Sequence, residues 1–226
     1  MFIPFLEMRR IKLFMKIRME FRKNMKYISH LDLMKSMQKT LKRSQLKLKY
    51  SEGFNPHIIL SIANPLPLGV IGGREFADFE ILDTDLSEDT MLSKLVEASP
   101  PDIIPKKLYV GCEKSFNLTE FAVYDINITT TDSERITELL RGSELLVEKK
   151  TKGKIKQINL IELIHEIKFS RVIDGILINL ICACGNTKNL NPMLIKKALT
   201  LNGVHIDDFS AERSNLLDAD FKEFLI

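Results

Sequence analysis

The sequence predicts an α+β protein of two tandem ferredoxin-like units, each with the order β-α-β-β-α-β, an antiparallel sheet and helices on one face. Segments with alternating apolar residues predict strands, those with a period of about 3.6 predict helices, and their order occurs twice in 226 residues. We expect an N-terminal extension over residues 1–15, a first unit over 16–113 and a second unit over 119–226. Because the halves share this order but no residue-level similarity, a single larger α+β domain is the alternative.

The first half of the chain predicts the elements of the first unit. Residues 12–23 alternate between polar and apolar side chains, which is typical of a half-buried strand. A helix is predicted over residues 29–45, because Ser29 and Asp32 match a capping box at its start. There follow a short apolar-basic alternation at 46–50, a nearly uncharged loop over 50–73, a strand over 74–82, a helix over 86–99 with Ser87 as N-cap and a strand near 106–112.

The second half repeats the order with different residues. Residues 160–172 fit either a strand or a short helix, and the pattern leaves both open. Gly142 is placed to end the first helix of this half, and Pro192 lies in the first turn of the second. The other predicted elements are a strand over 120–130, a helix over 132–142, a hairpin across the turn at 151–153, a buried strand over 175–185, a helix over 190–203 and a last strand near 204–213.

The charge of the chain is unevenly distributed. Residues 1–60 hold 14 Lys or Arg against 4 Asp or Glu, whereas the remainder holds 19 against 26, so the balances are +10 and −7. Such a split favours an anionic partner for the first part, and RNA is the partner we expect. The alternative is a solvated basic face that only aids solubility. On the helix over 29–45, the two faces are apolar (Leu31, Met34, Met37, Leu41) and basic (Lys35, Lys39, Lys42, Arg43).

Several classes of protein are disfavoured by composition. No apolar run approaches the roughly 20 residues that a membrane-spanning helix needs. Glu7, Arg9 and Arg10 interrupt the apolar N-terminal residues early, so we expect no secretory signal. Three cysteines are too few for a disulfide framework. The sequence therefore predicts a cytoplasmic protein without a membrane partner.

A long motif lies between residues 26 and 81. Its elements are Ser29-His30-Leu31-Asp32, Tyr50-Ser51, Gly53-Phe54-Asn55-Pro56-His57, Pro65-Leu66-Pro67-Leu68-Gly69 and an acidic strand with Glu75, Asp78 and Glu80. This motif closely resembles the radical SAM-linked protein family, a bacterial domain of unknown function numbered 2344, and the resemblance extends over roughly residues 16–215. Ile58 and Ile62 stand where the family usually has Pro and Phe.

The resemblance implies a working connection to a radical SAM enzyme. Members of the family are fused to such a domain or encoded beside one, often near a ribonuclease of the E/G type and ribosomal protein genes. This implies work on RNA or the ribosome. Radical SAM chemistry needs a C-x3-C-x2-C motif, which the three cysteines of this chain (Cys112, Cys182, Cys184) do not form. We therefore expect buried core cysteines, no cofactor in this chain and a separately encoded radical SAM partner.

The loop over 50–73 and the hairpin supply the other candidate RNA contacts. Glycines and prolines in the loop permit tight turns and stiffen its path, which suits a rigid surface for a base or a phosphate. Covering the edge of a sheet is the alternative role for this loop. The candidate contacts are Tyr50, Phe54 and Asn55 in the loop and Lys150, Lys152 and Lys154 in the hairpin.

Two histidines are the candidate catalytic residues. His30 begins the helix and His57 lies in the loop, and histidine suits acid–base work or metal ligation near neutral pH. With Asp32, Glu75 or Asp78 they could form a site of two histidines and a carboxylate. In the alternative, both histidines only hydrogen bond the local backbone, and we predict no metal site.

The leading hypothesis is an RNA-binding accessory protein that works with a separate radical SAM enzyme in RNA modification or processing. One alternative is an RNA-processing enzyme that uses His30 and His57. Another is a protein-only adaptor for the radical SAM partner.

Overall fold

The computed structural model describes residues 14–82, 85–151 and 154–223. Over these residues, one large and mostly antiparallel sheet is combined with four α-helices and a separate two-stranded hairpin. The α+β class is therefore confirmed. None of the described helices is long and apolar enough to cross a membrane.

The first half forms four strands and two helices in the predicted order. Both predicted N-caps are confirmed, because the hydroxyl oxygens of Ser29 and Ser87 accept hydrogen bonds from the backbone N–H groups of Asp32 and Thr90. The elements are β1 (Phe14–Lys23), α1 (His30–Arg43), β2 (Leu60–Ile62), β3 (Val70–Leu82), α2 (Glu88–Ala98) and β4 (Ile103–Val110).

The second half contains six strands and two helices. Residues 160–172, which the sequence left open, form a short 3₁₀ turn followed by a strand. Gly142 caps the first helix and Pro192 begins the second, as predicted. The elements are β5 (Phe121–Thr129), α3 (Ser133–Arg141), β6 (Leu146–Thr151), β7 (Lys154–Asn159), β8 (Ile164–Val172), β9 (Gly175–Ala183), α4 (Pro192–Leu201) and β10 (Asp208–Leu217).

The two halves join within one sheet, whose strands lie in the order β4-β1-β3-β10-β5-β9-β8. All neighbouring strands are antiparallel except β3 and β10, which are parallel over Val70–Gly72 and Ala211–Arg213. Since β1 occupies one edge of β3, both β2 and β10 pair along the other edge. This shared edge accounts for the shortness of β2, which pairs only at Phe79, Asp78 and Ala77 of β3.

Two clusters of apolar residues lie beneath the helices, and Ala63, Val70 and Phe76 of the first half belong to the cluster of the second half. In the first half, alternate residues of β1 are fully buried against α1 and α2, as the alternation predicts (Ile17, Met19, Phe21). In the second half, alternate residues of β5 and β9 are buried against α3 and α4. Burial of side chains of this size stabilises the fold by about 1.5–3 kcal/mol each.

Three predictions about the elements need correction. Leu31 is 70% exposed, and Leu33 is buried in its place, because the buried face of α1 is rotated relative to the predicted one. β3 begins at Val70, inside the predicted loop, where pairing with β10 supplies backbone partners for an uncharged stretch. β10 ends at Leu217, beyond the predicted residue 213, because its pairing with β5 continues past a bulge after Arg213.

Candidate nucleic-acid interface

A basic surface covers the solvent side of α1. Its four cations are exposed, and we call them the α1 surface (Lys35, Lys39, Lys42, Arg43). They face solvent because the opposite side of the helix carries Leu33, Met37 and Leu41, which are buried in the core. The single acidic residue in the first turn is Asp32, whose carboxylate lies 3.5 Å from the Lys35 ammonium. The hydrogen bond from Ser29 and the charge of Lys35 hold the pKa of Asp32 below its ordinary value.

The motif loop, residues 50–58, is a short excursion closed at its base. Tyr50 and Ile58 form an isolated β-bridge, and the Ser51 backbone N–H donates to the carbonyl oxygen of His57 at 2.8 Å. Ile58 is buried in the same core cluster as Leu33 and Met37 of α1, so the base of the loop is anchored against that helix.

The tip of the motif loop presents an aromatic ring to solvent. Phe54 is fully exposed, Tyr50 is 43% exposed, and Asn55 is also exposed. Gly53 has φ of +116°, a backbone conformation that residues with a side chain rarely adopt. A short, anchored loop with an exposed ring at its tip is suited to stacking on an unpaired base.

The hairpin formed by β6 and β7 lies in the second half, beside α4. Lys149 Nζ donates to the carbonyl oxygen of Asn189 at 3.3 Å, and Lys197 Nζ donates to that of Glu148 at 3.1 Å. Lys156 of β7 and Lys188, the neighbour of Asn189 in sequence, are also exposed, so this region carries a second group of lysines. Of the predicted contacts, Lys152 lies outside the described residues. Lys150 and Lys154 lie in β6 and β7, and their side chains also lie outside the described part.

The motif segment 63–69 connects the two halves. The side-chain amide of Asn64 donates to the carbonyl oxygen of Cys184, at the end of β9. The Gly69 backbone N–H donates to the carbonyl oxygen of Lys26, just before α1, at 2.7 Å. Gly69 has φ of +87°, and a Cβ there would lie 3.1 Å from the sulfur of Met193 in α4. Glycine therefore allows the segment to turn closely against the second half.

The three motif carboxylates on β3 are held in ion pairs. Glu75 pairs with Arg213 of β10, Asp78 pairs with Arg18 of β1, and Glu80 pairs with Lys49. Asp78 Oδ2 also lies 2.8 Å from Lys16 Nζ. Sequence reasoning named the carboxylates but missed these partners, although an arginine within an alternating strand, as at position 18, was an available signal.

Comparison with known proteins adds a family to this geometry. The model of a family described as an uncharacterized protein conserved in bacteria, DUF2344, matches residues 16–192. This chain belongs to the DUF2344 family. Comparison with curated proteins found no match. The matched residues run from β1 to the start of α4, so they contain the α1 surface, the motif loop and the three carboxylates of β3.

The two histidines of the DUF2344 motif have different surroundings. His57 is exposed, its Nδ1 lies 2.9 Å from the Ser51 hydroxyl, and its backbone N–H donates to the same oxygen. It therefore closes the motif loop. His30 is the first residue of α1 and is half-buried. Within the described part of the chain, no group of three or more His, Cys, Asp or Glu residues could hold a metal ion.

The three cysteines of this DUF2344 member are buried and free of disulfides, as predicted. Burial raises the pKa of the Cys182 thiol far above its ordinary value, and it also raises that of Cys184. Both thiols therefore stay protonated at neutral pH. Neither is suited to nucleophilic chemistry or to binding a cluster in this conformation.

Proposed function

We propose that this chain is an RNA-binding accessory protein that works in the cytoplasm with a separate radical SAM enzyme, in RNA modification or processing. The α1 surface is the observation that carries the proposal. Its four cations occupy one exposed face, and Asp32 is the acidic residue in the first turn of that helix. Such a row neutralises phosphates in sequence-independent contacts and makes affinity depend on salt.

The exposed ring of the motif loop favours unpaired RNA over a regular duplex as the binding target. An exposed ring cannot enter the stack of an intact helix, but it stacks readily on a splayed base in a loop or bulge. Phe54 is fully exposed at the tip, and the loop base is anchored by Ile58 in the α1 core. The expected target is therefore a structured RNA with unpaired bases beside its phosphates.

We also propose the finer description of the fold, two ferredoxin-like units joined through the pairing of β3 with β10. Its support is the strand order: β4-β1-β3-β2 in the first half and β10-β5-β9-β8 in the second are equivalent when each half is numbered separately and the hairpin strands β6 and β7 are left out. Both halves also place a helix after their first and third principal strands.

The radical SAM partner rests on the resemblance of residues 26–81 to the radical SAM-linked family. The properties of the cysteines are consistent with it, because a cluster would then reside in the partner and not in this chain. In this arrangement the chain positions RNA and the enzyme performs the reaction.

Fluorescence anisotropy with a labelled hairpin RNA, across a sodium chloride series, tests the RNA part of the proposal. We expect binding at low salt, and the logarithm of the association constant should fall linearly with the logarithm of the salt concentration. The double substitution Lys35→Glu/Lys39→Glu should reduce affinity and lower the salt slope by about 0.7 to 0.9 for each phosphate that the variant no longer neutralises. Lys106→Glu/Lys107→Glu, which changes two exposed lysines of the edge strand β4, is the matched control and should have little effect.

The outcome also separates the alternatives. Negligible RNA binding at low salt would contradict the proposal. Crosslinking in cells, followed by identification of both RNA and protein, then distinguishes an RNA-binding accessory from a protein-only adaptor. An adaptor would yield the radical SAM enzyme without RNA. Turnover of a defined RNA that disappears in both His30→Ala and His57→Ala would instead favour the enzyme.

A further inference from the structure

A cleft of about 450 Å³ lies beside residues 113–117, in the connector that follows β4 and leads into the second half, and we call it the seam cleft. Four parts of the chain line it: β1, the motif region, the connector after β4 and the loop after β9. Its polar and aromatic lining residues include Lys16, Ser61, Asn64, Phe116, Asn117 and Asn186. Its size falls within the roughly 300–1,000 Å³ of small-molecule sites.

The Arg18–Asp78 pair forms a rigid support next to the seam cleft. Arg18 is fully buried and donates from Nε and Nη2 to the two carboxylate oxygens of Asp78, at 2.8 and 2.9 Å. Its guanidinium lies 4.4 Å from the centre of the Phe116 ring, and it also donates to the carbonyl oxygen of Lys114. These contacts hold Phe116 in place, so its ring is a preorganised surface for stacking.

The walls of the seam cleft carry hydrogen-bonding groups that the protein itself does not use. Asn64 is oriented by its bond to Cys184, while its carbonyl oxygen Oδ1 remains available. In the described part of the chain, the side chains of Asn117, Asn186 and Ser61 have no hydrogen-bond partner. Carboxamides both donate and accept, so together they can match the mixed donor and acceptor edge of a planar ligand.

The charges around the seam cleft cancel. Lys16 and Arg18 are positive, Asp78 and Glu113 are negative, and Lys16 and Arg18 are already paired with Asp78. A neutral lining disfavours a free phosphate or carboxylate as the main ligand. Three carboxamides and a held aromatic ring are the groups that recognise a base by its edge and its face.

We propose that the seam cleft binds one unpaired nucleobase, with Phe116 contacting its face and Asn64, Asn117 and Asn186 contacting its edge. The ribose and any flanking phosphates would lie outside the cleft. This site differs from the α1 surface and does not depend on RNA binding there. If both sites act, a strand bound along α1 would have one base selected in the seam cleft.

Saturation-transfer NMR on the full chain tests this assignment. Adenosine, guanosine, cytidine and uridine serve as ligands, with ribose alone as the control for sugar binding. We expect transfer to the base protons of at least one nucleoside and none to ribose. Asn117→Ala and Asn186→Ala should each weaken that nucleoside about fivefold, since each removes a hydrogen bond to the edge. Asn127→Ala, an exposed asparagine of β5, is the matched control and should leave its affinity unchanged.

Two results would overturn the assignment: no nucleoside gives transfer to its base protons, or the Asn117 and Asn186 variants bind it as well as the parent protein. Circular dichroism of these exposed-residue variants should match the parent, which excludes misfolding as the cause of a loss. The Lys35→Glu/Lys39→Glu protein should keep nucleoside binding. Nucleoside binding without RNA binding would refute the proposed function but support the assignment of the seam cleft. RNA binding without nucleoside binding would refute the assignment of the seam cleft but support the proposed function.

Discussion

Arg213 and Glu75 form a buried ion pair at the point where the two halves of the sheet meet. Arg213 Nε lies 2.9 Å from Glu75 Oε1, and both side chains are almost fully buried. Arg213 Nη2 also donates to the carbonyl oxygen of Asn64 at 2.7 Å. Burial by itself lowers the pKa of Arg213, but the adjacent carboxylate of Glu75 raises it above the ordinary value. Arg213 therefore remains charged.

Removing one member of this pair should strongly destabilise the protein. Glu75→Gln would leave the Arg213 guanidinium buried without a countercharge, which typically costs about 3–5 kcal/mol. Urea-induced unfolding, followed by circular dichroism, measures the change. Glu212→Gln is the matched control, because the Arg22–Glu212 pair is about one-third exposed and typically contributes about 0–1 kcal/mol. Equal losses in the two variants would contradict the assigned importance of burial.

Phe54 should contribute to RNA affinity without contributing to stability. Its ring is fully exposed, so Phe54→Ala removes no core contact, and the free energy of unfolding should be unchanged. If the ring stacks on a base, the substitution should weaken binding to single-stranded RNA by about 1–3 kcal/mol. Anisotropy measures the affinity. Ile173→Ala removes another fully exposed apolar side chain and should leave RNA affinity as it was, and an equal loss there would argue against stacking.

The cysteines should resist modification in the folded protein. The thiols of Cys112, Cys182 and Cys184 are buried, so Ellman's reagent at pH 8 should label them slowly without denaturant and label all three in guanidinium. Rapid labelling of the native chain would contradict this prediction.

The raised pKa of Cys182 also predicts how stability varies with pH. Below the ordinary thiol pKa of 9.0, the folded and unfolded states both keep this proton, so its contribution is fully present. As pH rises further, the unfolded state releases the proton first, and stability falls. Urea unfolding at pH 7.5 and pH 10 measures the loss. Cys182→Ala should reduce the difference in the free energy of unfolding between these two pH values.

Ser29 should stabilise α1 through its cap, in a manner that depends on pH. Ser29→Ala removes the hydrogen bond from the Asp32 N–H and should cost about 1 kcal/mol at pH 7. The Ser29 hydroxyl also donates to the Asp32 carboxylate and lowers the pKa of that group. The stability from this hydrogen bond is therefore present above 3.8, the pKa of Asp32 in the unfolded state, and is lost as pH falls through the pKa of Asp32 in the folded state.

The cost of Ser29→Ala should therefore be smaller at pH 2.5 than at pH 7. Thermal unfolding at the two pH values measures this difference. Ser93→Ala is the control, because this serine donates within α2 to the carbonyl oxygen of Asp89 and caps no helix. A cost at Ser93 as large as that at Ser29 would rule out a specific capping role.

Local patterns predicted much of the fold because they depend on neighbours in sequence. Ser29, Ser87, Gly142 and Pro192 were recognised as helix boundaries from their own chemistry. Alternation predicted the buried apolar residues of β1 but not the burial of Arg18. The motif pointed to the loop at Phe54, the helical period pointed to the basic side of α1, and both are exposed.

The sequence by itself determined the order of the elements, their caps and the buried side of most strands, because period and capping act over a few residues. Tertiary structure alone decided the parallel pairing of β3 with β10, the partners of Glu75 and Asp78 and the assembly of the seam cleft. These contacts join residues far apart in the chain, 138 positions in the Arg213–Glu75 pair, and no local pattern encodes such a distance. They arise only when all strands of the sheet have assembled, because assembly brings the partners together and excludes water from the buried ion pairs.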